Sequence, residues 1–341
     1  MEQVTTIGLD IAKHVFQVHG ADRVGHVLFR KRLSRARLLG FMSTQSACTV
    51  ALEACAGAHF WAREIGKLGH RVRLIPPIYV KPFIKRQKND AADAEGICEA
   101  AQRPSMRFVP VKSEEQQANA MLFRARDLLV RQRTQCINAL RGHLLEYGCV
   151  FPQGVGHVAG LIAHVEDPAS LLPQSARVAL KTLIDTLTAL EGQIAELDHE
   201  IDHRAKTDPT ARRLMTIPGI GPIGATAITA LVPAAQGFPA GRAFAAWLGL
   251  TPLQKSTGGK QRLGAVSKRG ERTIRRLLIL GASAVVKQAS RRGAPKGSWL
   301  AQMLARKPKM LVIVALANKI ARTVWALLVN GGTYRAPIAA A

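Results

Sequence analysis

Val4-Thr5-Thr6-Ile7-Gly8-Leu9-Asp10-Ile11-Ala12-Lys13 is an apolar, β-rich run interrupted by one carboxylate. Two more runs follow, His14–His19 and Val24–Arg30, with alternating character and a turn around Gly20–Gly25 between them. Such a pattern predicts a strand followed by a hairpin. Thr49–Leu52 and Arg71–Ile75 read as two further short strands. Helical periodicity falls between and after them, at Arg35–Met42, Ala58–Leu68 and Ala91–Ala101. A hairpin followed by strand–helix alternation predicts an α/β domain, a mixed sheet with helices packed on it.

The composition limits what such a domain serves. The chain has 341 residues, so two or three domains are expected at about 150 residues each. Apolar residues make up 48%, enough to bury real cores and to exclude wholesale disorder. Lys and Arg number 48 against 23 Asp and Glu, a net charge of +25. That charge repels itself unless a polyanion compensates, so nucleic acid is the leading partner class and an anionic membrane surface the competitor. The five cysteines include no Cys-x-x-Cys pair and are odd in number. This argues against a zinc ribbon or a disulfide framework and for free thiols in a reducing cytoplasm. Met1-Glu2-Gln3 does not begin a signal peptide. Met310–Val329 is apolar but holds Asn318, Lys319 and Arg322, and reads as a core helix rather than a membrane span.

Four acids stand where chemistry is expected. Asp10 ends the first strand and Glu53 the fourth, in Ala51-Leu52-Glu53-Ala54-Cys55. Strand ends are where α/β sheets carry their sites. Asp90 and Asp93, in Lys88-Asn89-Asp90-Ala91-Ala92-Asp93-Ala94, share one helical face by their spacing. Taken singly, Asp90 is an N-cap, Asp93 a first-turn dipole partner and Asp10 a turn residue. Taken together, four converging carboxylates require cations between them. Hard divalent ions suit oxygen ligands, and Mg²⁺ suits phosphate chemistry.

Residues 112–205 read as helical, with a break near Pro152–Gly156. Leu180, Leu183, Leu187, Leu190, Ile194, Leu197 and Ile201 step by three and four, the seam of a coiled coil. Its partner is either the helix around Leu122–Leu145 or another subunit. Further on, Ile217-Pro218-Gly219-Ile220-Gly221-Pro222 joins two short helical patterns. A helix–hairpin–helix there would aim the amides around Gly219 and Gly221 at phosphate. The competing reading is a tight glycine turn between packed helices.

Residues 255–309 carry fifteen Lys and Arg and a single acid, Glu271. Lys255, Lys260, Arg262, Lys268, Arg269, Arg272, Arg275 and Arg276 are assigned to phosphodiester contact. Aromatic residues are only 5%, so base stacking is not the main mode of recognition. Within this stretch Lys255-Ser256-Thr257-Gly258-Gly259-Lys260 places a hydroxyl between two lysines. Nearby cations stabilise both an alkoxide and a pentacovalent phosphorus. On composition alone a flexible loop is the plainer reading.

These blocks, with Phe108-Val109-Pro110-Val111-Lys112-Ser113, Asn138-Ala139-Leu140-Arg141-Gly142, Gly249-Leu250-Thr251-Pro252 and Ser267-Lys268-Arg269-Gly270, resemble the DEDD-type insertion-sequence transposases. The best-studied of these are bridge-RNA-guided recombinases, and pilin-gene DNA invertases are similar. The resemblance spans nearly the whole chain. It implies a RuvC-like, RNase H-like domain over 1–110, a helical coiled-coil domain over 111–208 and a mainly helical transposase domain over 209–341. It further implies that Asp10, Glu53, Asp90 and Asp93 are the DEDD ligands of two Mg²⁺, and that Ser256 is the nucleophile of a phosphoserine intermediate in a site shared between domains. Members often show Ser-Ser-Gly where this chain has Ser256-Thr257-Gly258; Ser256 is assigned because Thr257 is a poorer, β-branched nucleophile. DNA, a guide RNA and further copies of the chain are the implied partners, in the cytoplasm. Two rivals use the same residues differently: a junction-resolving endonuclease that activates water and needs no serine, and a non-catalytic nucleic-acid scaffold.

Overall fold

The computed structural model describes residues 3–84 and 90–336. They fall into two compact units, 1–117 and 118–341. The five strands expected in the first unit are present: β1 (Thr6–Asp10), β2 (Val15–Ala21), β3 (Val27–Ser34), β4 (Thr49–Glu53) and β5 (Arg71–Ile75). They form one sheet in the order β3-β2-β1-β4-β5. β1, β2 and β3 pair antiparallel as the hairpin reading requires, while β4 and β5 join β1 in parallel.

The alternation of each strand decides what covers it. Ile7, Leu9, Val50 and Leu52 point to one face, where α1 (Leu38–Ser43) and α2 (Ala58–Lys67) bury Leu38, Met42, Trp61 and Ile65 against them. Ala51 and Ile75 point to the other face. There they share a core with Val80 of α3 (Pro77–Val80) and with Ile97 and Ala100 of α4 (Asp90–Ala101). Gly8 lies on this second face. A Cβ on it would stand 2.2 Å from the carbonyl oxygen of Ala94 and 2.6 Å from the amide nitrogen of Cys98. A side chain is therefore missing where α4 rests on the backbone of β1.

α5 (Glu114–Leu145) starts just before the boundary between the units and continues through the second. α6 (Val158–Glu166) and α7 (Gln174–Thr207) follow. Cys136 Sγ donates to the Leu183 carbonyl at 3.1 Å, and Arg126 pairs with Asp198 through a 3.0 Å bond. Partners drawn from opposite ends show that α5 and α7 run antiparallel. Leu180, Leu187, Ile194 and Ile201 are buried, and Leu183, Leu190 and Leu197 are half-buried. The apolar seam of α7 is thus met by a helix of the same chain, one of the two partners its spacing allowed.

The remainder packs α8 (Pro209–Leu214), α9 (Pro222–Leu231), α10 (Gly241–Trp247), α11 (Arg272–Arg292), α12 (Trp299–Arg306) and α13 (Lys309–Asn330) around one core. Two short antiparallel strands, β6 (Pro252–Gln254) and β7 (Leu263–Val266), stand apart as a hairpin. α13 is long and apolar enough to cross a membrane by length and composition. Its Val312, Ala317, Ile320, Ala321 and Val324 are buried in that core, as a core-helix reading requires.

Candidate active site

Leu9 lies opposite Leu52 in the parallel pair, so Asp10 and Glu53 occupy neighbouring strand ends. By alternation both carboxylates share the face of Gly8 and Ala51, the one α4 covers. α4 begins at Asp90, so its first turn, with Asp90 and Asp93, reaches the same end of the sheet. Carboxylates there are favoured by the unpaired amides and dipole of the helix. Carboxylate oxygens of Asp10, Asp90 and Asp93 all lie within 4.8 Å of one another, with Asp10 and Asp93 half-buried and Asp90 exposed. Lys88 and Asn89, which precede them in the motif, lie outside the described residues.

Glu53 adjoins this trio without completing it. Desolvation holds its carboxyl above the usual range, the charge of Asp93 adds to that, and Lys81 opposes both. The Cys55 thiol is likewise raised by desolvation and by the carboxylates of Glu53 and Asp10. Both shifts come first from desolvation and then from neighbouring carboxylates, which places Glu53 and Cys55 beside the acids. An oxygen-ligand cation site fits the donor set of Asp10, Asp90 and Asp93, with Glu53 beside them. Three of the four acids that strand ends and helix spacing single out come together here, with Glu53 alongside. Lys81 and Cys55 also stand near, and no spacing rule marks them as neighbours of the cluster.

Ser256 stands on the β6–β7 hairpin of the second unit. The hairpin continues past the named strands: Lys255 N–H donates to Arg262 O at 2.8 Å, and Thr257 and Lys260 exchange bonds of 3.3 and 3.0 Å. Gly258 and Gly259 close it with φ of +54° and +74°. Two successive left-handed residues make the turn that matches the twist of paired strands. Ser256 Oγ donates to Gln254 Oε1 at 3.1 Å and accepts from the Arg262 amide at 3.1 Å. The segment that composition alone reads as a loop is a hairpin that orients an exposed serine. Lys255, Lys260 and Arg262 are exposed around it.

The basic residues do not all face solvent. Arg275 is only 9% exposed, and its guanidinium donates to the carbonyls of Leu248 and Arg269 at 2.8 and 2.7 Å. The expected phosphate contact through Arg275 is therefore corrected: the side chain ties the end of α10 to the segment before α11. Arg276 pairs with Asp127 of α5. Arg269 and Arg272 are exposed, as is Lys268, which holds a left-handed φ of +54° while its amide bonds Gly249 O at 3.1 Å. In the glycine turn before α9, Gly219 is packed against Gly281 of α11, and Gly221 caps α9 from an exposed position.

Comparison with known proteins agrees with this layout. Residues 7–149 match the DEDD transposases of the IS110 type, and residues 211–295 match the Transposase IS116/IS110/IS902 family. A probable family 20 transposase of Pseudomonas aeruginosa is 49% identical over 97% of this chain and 99% of its own. The transposase for insertion sequence element IS1328 of Yersinia enterocolitica is 42% identical over 98% of this chain and 99% of its own. The transposase for IS1111A of Coxiella burnetii is 37% identical, covering 98% and 92%. The first unit is accordingly an RNase H-like DEDD domain, with a mainly helical unit after it. The chain belongs to the IS110/IS116/IS902 family of insertion-sequence transposases.

Proposed function

We propose that this transposase cuts and rejoins DNA strands through a phosphoserine intermediate at Ser256, with Asp10, Glu53, Asp90 and Asp93 holding divalent cations. The observation that carries the reading is the convergence of three carboxylates within 4.8 Å at the sheet end, beside a fourth whose carboxyl is raised. Like charges gathered this closely in a chain of net charge +25 are stabilised by a divalent cation set among them. Asp10, Asp90 and Asp93, with Glu53 beside them, would hold Mg²⁺, which would supply Lewis-acid polarisation of a phosphate and a lowered pKa for a nearby hydroxyl.

The residues divide the remaining work. Gln254 and the Arg262 amide orient the Ser256 hydroxyl. Its Oγ forms the bond to phosphorus while one backbone P–O bond breaks and releases a sugar hydroxyl. A hydroxyl of the second strand reverses the exchange, so bond energy is kept for rejoining. Lys255, Lys260, Arg262, Lys268, Arg269 and Arg272 hold phosphodiester backbone, and the turn amides near Gly221 add a sequence-independent contact. We further read 111–208 as a coiled-coil spacer and 209–341 as the transposase domain with its helix–hairpin–helix. Family resemblance supports a guide RNA as the source of target choice, a dimer or tetramer as the active assembly, and the cytoplasm as its place.

The reading is tested by incubating the protein with Mg²⁺, guide RNA and end-labelled donor and target DNA. It predicts rearranged product with the wild type and none with Asp10→Asn. Product from Asp10→Asn would remove the acid cluster from the chemistry, and DNA binding without product from the wild type would support the non-catalytic scaffold. A junction-resolving nuclease would cut with Ser256→Ala as well as with the wild type.

A further inference from the structure

The second unit has a groove of about 1450 Å³ that the proposed chemistry does not use. One wall is the base of the β6–β7 hairpin, at Pro252 and Val266. Its floor is Leu250 with Val314 and Ala315 of α13. Arg242, Lys319 and Arg322 line it as well, and no carboxylate does. Among the described residues, none of these three cations forms an ion pair with the chain's own acids. α12 packs Leu300, Met303 and Leu304 on the core, whereas its first residue, Trp299, faces the groove with the Lys319 ammonium 4.8 Å from its ring centre.

We infer that this groove is a binding site for unpaired, single-stranded DNA, namely the strand that runs onward from the phosphate presented to Ser256. The inference rests on the strand-exchange reading above and names a substrate contact within it. Three features select this occupant. An apolar floor gains free energy from any apolar surface that covers it; unpaired bases expose such surface as flat faces, whereas a duplex hides its base faces in the stack. Cations without acid partners match a phosphate backbone and leave an uncharged ligand without a role for them. One wall of the groove is the base of the hairpin that carries Ser256, so the groove and the hydroxyl share one element. Trp299 offers an aromatic platform beside the cations, and Trp325, its indole N–H held on the Ala235 carbonyl, lines the groove as well.

The test is equilibrium binding by full-length protein in EDTA, in a Ser256→Ala background, so that neither metal nor covalent chemistry contributes. Labelled single-stranded DNA and the duplex of the same sequence are titrated in parallel. Combined Arg242→Gln, Lys319→Gln and Arg322→Gln should weaken single-strand binding at least about tenfold. It should also lower the salt slope by about two, at about 0.7 per phosphate contact, and leave duplex affinity within about twofold. Trp299→Leu should weaken single-strand binding by about tenfold and Trp299→Phe should restore most of it. Thermal unfolding of each variant checks that the fold is kept. A photo-crosslinker at Leu311 should capture the labelled DNA strand. Unchanged single-strand affinity, equal loss for single strand and duplex, tighter binding of single-stranded RNA, or capture of a second protein chain at Leu311 would each overturn the inference. Failure here leaves cleavage through Ser256 untouched, and failure of that cleavage leaves binding in EDTA measurable.

Discussion

Gly8 of β1 lies so close under Ala94 of α4 that a methyl group on it would stand 2.2 Å from the Ala94 carbonyl oxygen. Ala94 directly follows Asp93, and Gly8 is two residues from Asp10. The contact between helix and strand therefore sets the distance between the two carboxylates. Gly8→Ala must lift α4, because the obstacle is backbone and cannot turn aside. We expect a loss of about 1–3 kcal/mol in stability, in the range of overpacked cores. The larger effect should be on the cation site: the rise in unfolding temperature produced by Mg²⁺ or Mn²⁺ should shrink or vanish. Calorimetry with and without the ion checks both.

Glu53 gives the first unit a pH signature. Its carboxyl is raised in the fold by desolvation and then by Asp93. The folded state thus holds the proton more tightly than the unfolded chain does. Glu53 contributes fully to stability below the ordinary Glu range, and that contribution is lost as pH rises through its elevated folded value. Glu53→Gln should therefore raise the unfolding temperature of the metal-free protein at neutral pH. The gain should fade on acidification below the ordinary Glu range, near pH 4. Added divalent cation should stabilise the wild type more than the variant.

Much of this site is legible in the sequence, for a physical reason. Strand ends and helix first turns are fixed by alternation and spacing, so Asp10, Glu53, Asp90 and Asp93 are found without knowing the contacts. What is not legible depends on distance through space. Nothing near Arg275 in the chain distinguishes it from Arg272, yet one is buried on two carbonyls and the other is exposed. The Ser256 hairpin is hidden because its strands are short and polar and only the paired turn glycines hint at it. Arg242, Trp299 and Lys319 are far apart in sequence and meet only once α10, α12 and α13 pack.

Arg275 separates a structural cation from the binding ones. Arg275→Ala leaves two carbonyls without their charged donor and should cost about 2–4 kcal/mol, from bonds to a charged group worth about 1.5–3 kcal/mol each in partial overlap. Arg272→Ala should cost under about 0.5 kcal/mol, as exposed substitutions do, while weakening DNA binding. Urea unfolding and a salt-dependent binding titration, run on both variants, give the contrast.

The hairpin turn predicts a sharp dependence on residue type. Gly258 and Gly259 both hold positive φ, which a β-branched residue resists. Gly259→Val should unsettle the pairing of Thr257 with Lys260 and reduce strand cleavage by at least about tenfold with little change in global stability. Gly258→Asn keeps an Asn-Gly turn and should retain most activity. Cleavage rates at matched protein stability check this pair.

The most direct measurement is to trap the reaction of the wild type with Mg²⁺, guide RNA and labelled DNA, denature it, and map by mass spectrometry any peptide that carries a nucleotide. The account predicts a phosphodiester on Ser256, absent from Ser256→Ala and from Asp10→Asn. Strand cleavage by Ser256→Ala at the wild-type rate, with no nucleotide-bearing peptide from either protein, would contradict it.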